Sequence, residues 1–444
     1  MVLGRRVRLW LDASIMNDQG NKLLDDCFAH DGKRLRHAEA LAILKDRVRA
    51  VTGIERVPLD GAAGRILAAA VVAPRPVPAH TNAAVDGYSF AASDYDAGAG
   101  VRLPVAGRAA AGRPLAAEPG PGRAARIFTG AVMPAGHDTV AMQEDVRATN
   151  EGGALMVAIP PGLKRGANVR KAGEDVKEGE TVLEAGAVLR PQDLSALASL
   201  GYGEIDCRKR LKVAIISTGD EVVRAGAALQ PGQVHDANAP MLGPLVANAG
   251  ALATDLGVLP DDLEAVKRKL AEAARSFDVI ITTGGASRGE EDHLVAALDA
   301  LGKRHMWQLA IKPGRPMSFG QIGDTVVLGL PGNPVAVFVC FLLYVFPLLR
   351  CMSGAGWPEP RRYTLPALFT FPDRKVGRRE FWRGMLRETP RGLGVDKFAR
   401  DGSGLISGLR AADGLIEIPE DVPHVIPGDL VTFIPFAEFG IIGR

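Results

Sequence analysis

Three short apolar runs constrain this chain more than any other feature: residues 211–218 (LKVAIIST), 278–283 (DVIITT) and 325–330 (TVVLGL). Each is apolar on both faces and too short for a helix, the pattern of a strand buried in a parallel sheet. Helical periodicity lies between them. Residues 240–249 read as one helix. In 261–277, Leu263, Val266, Leu270 and Phe277 fall close to one face, and Asp261 or Asp262 can cap the start. A shorter helix is expected around 293–301. Strands alternating with helices require an α/β layered domain with a largely parallel sheet. The third strand runs through P-G-N-P into 335–349 (VAVFVCFLLYVFPLL). That run falls short of the ~20 residues a membrane helix needs and contains Pro347, so it reads as a buried core helix, with no membrane partner.

The flanks read differently. Leu41, Leu44, Val48 and Val51 recur at helical spacing across 37–51. Pro74, Pro76 and Pro78 then forbid regular helix. Residues 80–160 carry short Val and Ala runs between Gly and Pro, as in a small β domain. Residues 162–186 return in strands and tight turns, 192–200 read as helix, and an all-β pattern resumes after Gly354. The expected domains are an N-terminal extension (1–20), a discontinuous linker domain (21–60 with 160–190), a β-rich insertion (61–159), an α/β domain (191–352) and a C-terminal β domain (353–444). Met16 is an alternative start, and the short apolar stretch before it is interrupted by Asp12, unlike a secretory peptide. Cys27, Cys207, Cys340 and Cys351 are scattered, with neither a disulfide framework nor zinc spacing, which fits a reducing cytoplasm. A net charge of +2 leaves no global field to hold nucleic acid, and none is expected as a partner.

In an open α/β sheet, ligands bind beyond the carboxyl ends of the strands. Here those ends carry Ser217–Glu221 (STGDE), residues 283–292 (TGGASRGEED) and 330–335 (LPGNPV). Glycine lets backbone amides approach a ligand, and amides at a helix start favour an anion. Carboxylates at two of the three ends favour a divalent cation beside it. Lys312 and Arg315, in I-K-P-G-R-P, can clamp phosphate or another tetrahedral oxyanion. Neither a phosphate-binding G-x-x-x-x-G-K-[ST] loop nor a dinucleotide G-x-G-x-x-G follows a strand. Phosphate plus magnesium is the reading these loops share. Each alone is also a common turn or cap; their agreement argues for a site.

These loops resemble the molybdenum-cofactor family of molybdopterin molybdotransferases, the MoeA and gephyrin E-domain family. The resemblance extends to N-A-A-V-D-G-Y at Asn82, R-I-F-T-G-A at Arg126, G-E-D at Gly173, F-W-R-G at Phe381 and L-I-E-I-P at Leu415. It therefore runs in order from about residue 35 to the end. It implies an elongated multidomain subunit in which a three-layer α/β molybdopterin-binding domain joins smaller β-rich domains. It also implies a homodimer whose active cleft is shared between subunits. The implied reaction takes adenylylated molybdopterin and molybdate, with Mg²⁺, and yields molybdenum cofactor and AMP. Carried over by motif, Asp86, Asp175, Glu221 and Asp292 would be catalytic, Asp86 coming from the partner subunit. Glu221, Asp261 and Asp292 would hold the metal, although a helix cap explains Asp261 equally well. Gly284, Gly285, Ser287, Lys312, Arg315, Pro331, Gly332, Asn333, Pro334, Arg383 and Ser403 would bind substrate. Handover would involve molybdopterin adenylyltransferase and apo-molybdoenzymes.

The chain departs from the family pattern in places. G-G-V-S-V-G becomes G-G-A-S-R-G, placing Arg288 in the loop. K-P-G-K-P becomes K-P-G-R-P, Gln308 stands where relatives often have Lys, and Ala336 replaces a Ser. No acidic candidate is lost. Two other readings compete. A molybdopterin-binding scaffold or regulatory relative goes with an extra fused domain and long linker. A molybdopterin adenylyltransferase shares the G-G-x-S loop but is a lone small domain.

Overall fold

The computed structural model describes residues 34–284 and 293–443, with main chain alone at 304–307. The expected extension 1–20, Met16 and Cys27 lie outside these. So do Gly285, Ser287, Arg288 and Asp292. The described chain forms two compact units: residues 34–54 with 208–443, and Glu55–Cys207.

In the first unit a six-stranded sheet runs Leu252–Leu259, Lys212–Thr218, Val279–Thr283, Thr325–Leu330, Pro316–Ile322, Lys303–Gln308. The first four strands are parallel, and Pro316–Ile322 alone runs opposite, antiparallel to both of its neighbours, so the sheet is largely parallel as expected. Alternation along the strands sends Val213, Ile215, Val279, Ile281 and Leu328 to one face, where Leu242 and Val246 of helix Asn238–Asn248 cover them. Ala214, Ile216, Ile280 and Val327 face the other side, against Val266 and Leu270 of Leu263–Ala273 and Leu294 and Leu298 of His293–Leu301. Three layers result. Asp262, rather than Asp261, caps helix Leu263–Ala273, accepting the Ala265 N–H at 2.7 Å.

The P-G-N-P loop opens a 19-residue helix, Pro334–Met352, most of it buried in the protein. By length and composition alone it could cross a membrane; burial makes it a core helix. Its middle turn, Phe341–Val345, widens to a π-helix just before Pro347, which has no N–H for a regular ladder.

A second six-stranded sheet follows in the same unit, with Ile311–Lys312, Arg379–Thr389, Gly414–Ile418, Leu430–Pro435 and Tyr363–Pro366 in order, and Gly392–Lys397 beside Arg379–Thr389. Ile311–Lys312, which leaves the α/β sheet, pairs parallel with Arg379 and Glu380. Phe381, Leu415, Ile434 and Phe439 join the same hydrophobic cluster as the α/β strands. Residues 353–443 therefore give one face to the α/β core, while Ala367, Trp382, Val395, Ile416 and Phe433 pack in a second cluster of their own.

Two expected boundaries need correction. The sequence pattern groups helix His37–Arg47 with 160–190, but Ala40 and Leu44 are buried in the α/β cluster. The pattern puts residues 191–207 in the α/β domain, but Leu197 of helix Pro191–Ser199 packs with Leu67, Val71 and Leu189 of the second unit. A local periodicity marks an apolar face but does not name the face it meets.

The second unit holds a six-stranded sheet ordered Thr139–Met142, Gly87–Phe90, Ala124–Ile127, Val101–Ala109, Ala154–Ile159, Arg147–Glu151. Beside it Val71–Val72 pairs with Thr181–Leu183, and Asn82–Ala83 with Val169–Arg170, so the segment after the insertion lies against the one before it.

Candidate functional site

Parallel pairing brings the three strand-end loops together. Ser217 is opposite Thr283, and Thr283 is opposite Leu330. The loops therefore leave one edge of the sheet side by side, as the strand-end rule requires. Gly284 has φ +88°, and a Cβ there would sit 2.6 Å from the Thr218 carbonyl, so only glycine fits.

A cavity of ≈ 540 Å³ opens beyond this edge. Gly284, Lys312, Arg315, Pro331, Gly332, Asn333, Arg383 and Ser403 all line it. Pro334 lines an adjoining cavity of ≈ 450 Å³ that shares Gly284, Gly332 and Asn333 and also contains Glu221. Ser403 is docked through the main chain: its carbonyl accepts the Val335 N–H of the core helix at 2.9 Å.

The first cavity is rich in cations. Arg383 is buried, one Nη donating to the Arg400 carbonyl at 2.7 Å while Nε finds no partner. Among the described residues it makes no ion pair. Burial holds its pKa below the usual arginine value. A buried guanidinium without a counter-ion is costly unless an anion completes it. Lys312 Nζ lies 3.7 Å from the buried Glu380 carboxylate, and Arg315 is exposed on the same loop. Asp401, the acidic residue lining this cavity, is paired with Lys397 at 2.5 Å.

The acidic candidates are more dispersed. Asp261 and Asp220 exchange hydrogen bonds: each carboxylate accepts the other's N–H, at 3.3 and 3.1 Å. The Glu221 carboxylate folds back over Gly219. Carboxylate oxygens suit a hard divalent cation, yet among the described residues no three His, Cys, Asp or Glu are grouped to hold one. The described carboxylates do not by themselves form a magnesium site. Asp292, the third expected metal ligand, lies outside the described residues.

Asp86 and Asp175 belong to the second unit. Asp86 Oδ1 accepts the Thr129 N–H at 2.8 Å and its hydroxyl at 2.7 Å, and these bonds hold its pKa below the usual carboxylate value. Asp175 is exposed, its N–H bonded to the Val77 carbonyl at 3.1 Å.

Sequence reading missed the groups that brace the loops. Asp236, buried, accepts the Ser217 hydroxyl at 2.7 Å and the N–H groups of Asn238 and Ala239 at 2.9 and 3.1 Å. Asn238 Nδ2 donates to the Gly332 carbonyl at 2.7 Å. Asp236 thus links the first loop to a helix start, and Asn238, two residues on, pins the third loop. An Asp shortly before a helical run was the available signal.

Comparison with known proteins identifies the family. Residues 35–201 match the MoeA N-terminal region (domain I and II), 214–351 a probable molybdopterin binding domain, and 367–436 the MoeA C-terminal region (domain IV). A molybdopterin molybdenumtransferase of Haemophilus influenzae is 38% identical over 87% of this chain and 94% of its own. The chain belongs to the MoeA family. Molybdopterin molybdenumtransferase 2 of Mycobacterium tuberculosis is 36% identical, over 88% of this chain and 96% of its own. The crystal structure of a molybdopterin biosynthesis MoeA protein from Pyrococcus horikoshii superposes with a TM-score of 0.78 at 31% identity, covering 91% of this chain and all of that one. In MoeA terms, the strand-end loops lie within the probable molybdopterin binding domain, and Arg383 and Ser403 come from the C-terminal region.

Proposed function

We propose that this protein inserts molybdenum from molybdate into adenylylated molybdopterin and releases AMP. The observation that carries this is the cleft in which Lys312, Arg315 and the buried Arg383, which makes no ion pair among the described residues, converge. It is built for an oxyanion. Molybdate and the substrate's phosphates both have that chemistry, and relatives named molybdenumtransferases share the chain almost end to end.

In this reading the cations receive the oxyanion, while Gly284, Gly332 and the remaining P-G-N-P backbone allow close approach. Water cleaves the phosphoanhydride, its oxygen joining phosphorus as the P–O bond breaks and AMP leaves, and the substrate's dithiolene thiols replace molybdate oxygen, which departs with their protons as water. No protein thiol is required: Cys207 and Cys340 are buried, and burial raises both thiol pKa values. Positioning and electrostatics, rather than a covalent nucleophile, supply the rate. Asp86, Asp175, Glu221 and Asp292 complete the proposed catalytic set, with Gly285, Ser287, Pro331, Asn333, Pro334 and Ser403 in the substrate-binding set. The proposal also includes a magnesium requirement, with Glu221, Asp261 and Asp292 as oxygen donors, a homodimer sharing its clefts, and a cytoplasmic setting.

The test is AMP release from adenylylated molybdopterin, with active cofactor scored in parallel. Release should depend on molybdate, cease with a magnesium chelator, and fall about 100-fold or more in Asp86→Ala and Arg383→Ala. A folded protein that releases no AMP overturns the reading. Transfer of AMP from ATP to molybdopterin would make it the adenylyltransferase instead.

A further inference from the structure

Glu380 stands behind the cleft rather than in it. Strand Arg379–Thr389 places it just before Phe381, Trp382 and Arg383, which line the cavity, and parallel pairing sets it opposite Lys312. Its carboxylate is 1% exposed and ringed by donors. Trp382 Nε1 donates to Oε2 at 2.9 Å, and Arg378 Nε to Oε1 at 2.9 Å. Arg374 Nε lies 3.6 Å from Oε1, and Lys312 Nζ 3.7 Å from Oε2.

Three cations therefore share one buried anion. Arg374 is as buried as the carboxylate, and neither arginine lines the cleft. Lys312 does: 43% of its side chain is exposed, on the cavity wall. A lysine ammonium has three donors on a flexible stem. One loose contact from behind limits where that stem can go and leaves the other donors for a ligand. Arg374 and Arg378 offset the carboxylate's charge, so the anchor does not cancel the positive potential of the cleft.

We propose that Glu380 is a positioning residue that holds the Lys312 ammonium at the cleft wall, fixing where the substrate oxyanion docks. This rests on the oxyanion reading of the cleft. The competing role is purely structural, as counter-ion to Arg374. A structural role harms the protein whether or not Lys312 is present; a positioning role acts only through Lys312.

The experiment is calorimetric titration of sodium molybdate into the full-length protein and into Glu380→Gln, Lys312→Met and the double variant, with thermal melting as a folding control. Glu380→Gln should weaken molybdate binding about tenfold, within the range of coupled neighbours. The double variant should bind no worse than Lys312→Met alone. Losses that multiply in the double variant, or an unchanged Glu380→Gln, overturn the proposal. If Glu380→Gln fails to fold, Glu380→Asp keeps the charge but withdraws it by one methylene, and the same cycle with Lys312→Met decides. A wild type that binds no molybdate refutes the oxyanion reading itself, whereas multiplied losses refute Glu380's role alone.

Discussion

Asp86 shows how two hydrogen bonds set the state of a candidate catalytic group. Both the Thr129 N–H and its hydroxyl point at Oδ1 and lower the carboxyl pKa. The folded protein thus keeps Asp86 ionised to a lower pH than an unfolded chain would. The contribution to stability is present above the unfolded carboxyl value and is lost as pH falls through the folded one. Thr129→Val removes the hydroxyl and leaves the backbone donor. Its expected effect is an upward move of the acid limb of the kcat/KM profile for AMP release, with activity near pH 7 reduced far less than in Asp86→Ala. An acid limb that stays put would mean that Asp86 ionisation does not limit the reaction. Arg383 is the opposite case at the same scale: burial disfavours its charge, and Asp401, already paired with Lys397, offsets that only in part.

At the scale of elements, the cleft depends on how the K-P-G-R-P segment sits against the core helix. Gly314 has φ +104°, and a Cβ there would lie 2.4 Å from Cys340 Sγ of helix Pro334–Met352. The loop that carries Lys312 and Arg315 is therefore pressed directly onto that helix. Gly314→Ala should destabilise the protein by about 1–3 kcal/mol, through backbone strain and overpacking together. Urea unfolding would measure this, and molybdate KM should rise in the same variant because both cations move with the loop. Cys340→Ala in the Gly314→Ala background removes the clash but not the φ strain, so recovery should be partial. Complete recovery would show that the conformation at 314 is not the constraint.

The whole molecule divides where the chain passes between its two units. Glu55–Cys207 is one continuous stretch with buried clusters of its own, around Leu67 and Leu197, around Phe90 and Val157, and around Ile127 and Val140. Residues 34–54 and 208–443 share another core, in which Leu44, Ile281 and Phe381 belong to one cluster. The segment 55–207 alone should fold cooperatively, giving a β-type circular dichroism spectrum and one sigmoidal melt. A non-cooperative melt would show that its clusters need the rest of the chain. The converse split, separating 208–352 from 353–443, should fail, because it cuts through that common core and removes the strand pairing of Ile311–Lys312.

The three central parallel strands, their helices and the glycine-bearing loops were legible in the sequence because their signals are local. A strand buried on both faces must be apolar throughout, and Gly284 stands where a Cβ would strike the Thr218 carbonyl. Strand Lys303–Gln308 (KRHMWQ), antiparallel at the sheet edge, carries no such pattern and went unread. The motif residues around the cleft were legible for the same local reason, and the family resemblance ordered them. What the tertiary structure alone decided is how distant segments pair. It laid Lys312 opposite Glu380, buried one carboxylate among three cations, and put Asp236 against the first loop with Asn238 against the third. A charged residue in a strand looks alike in sequence whether water or three donors surround it. Only the pairing of elements far apart in the chain determines which.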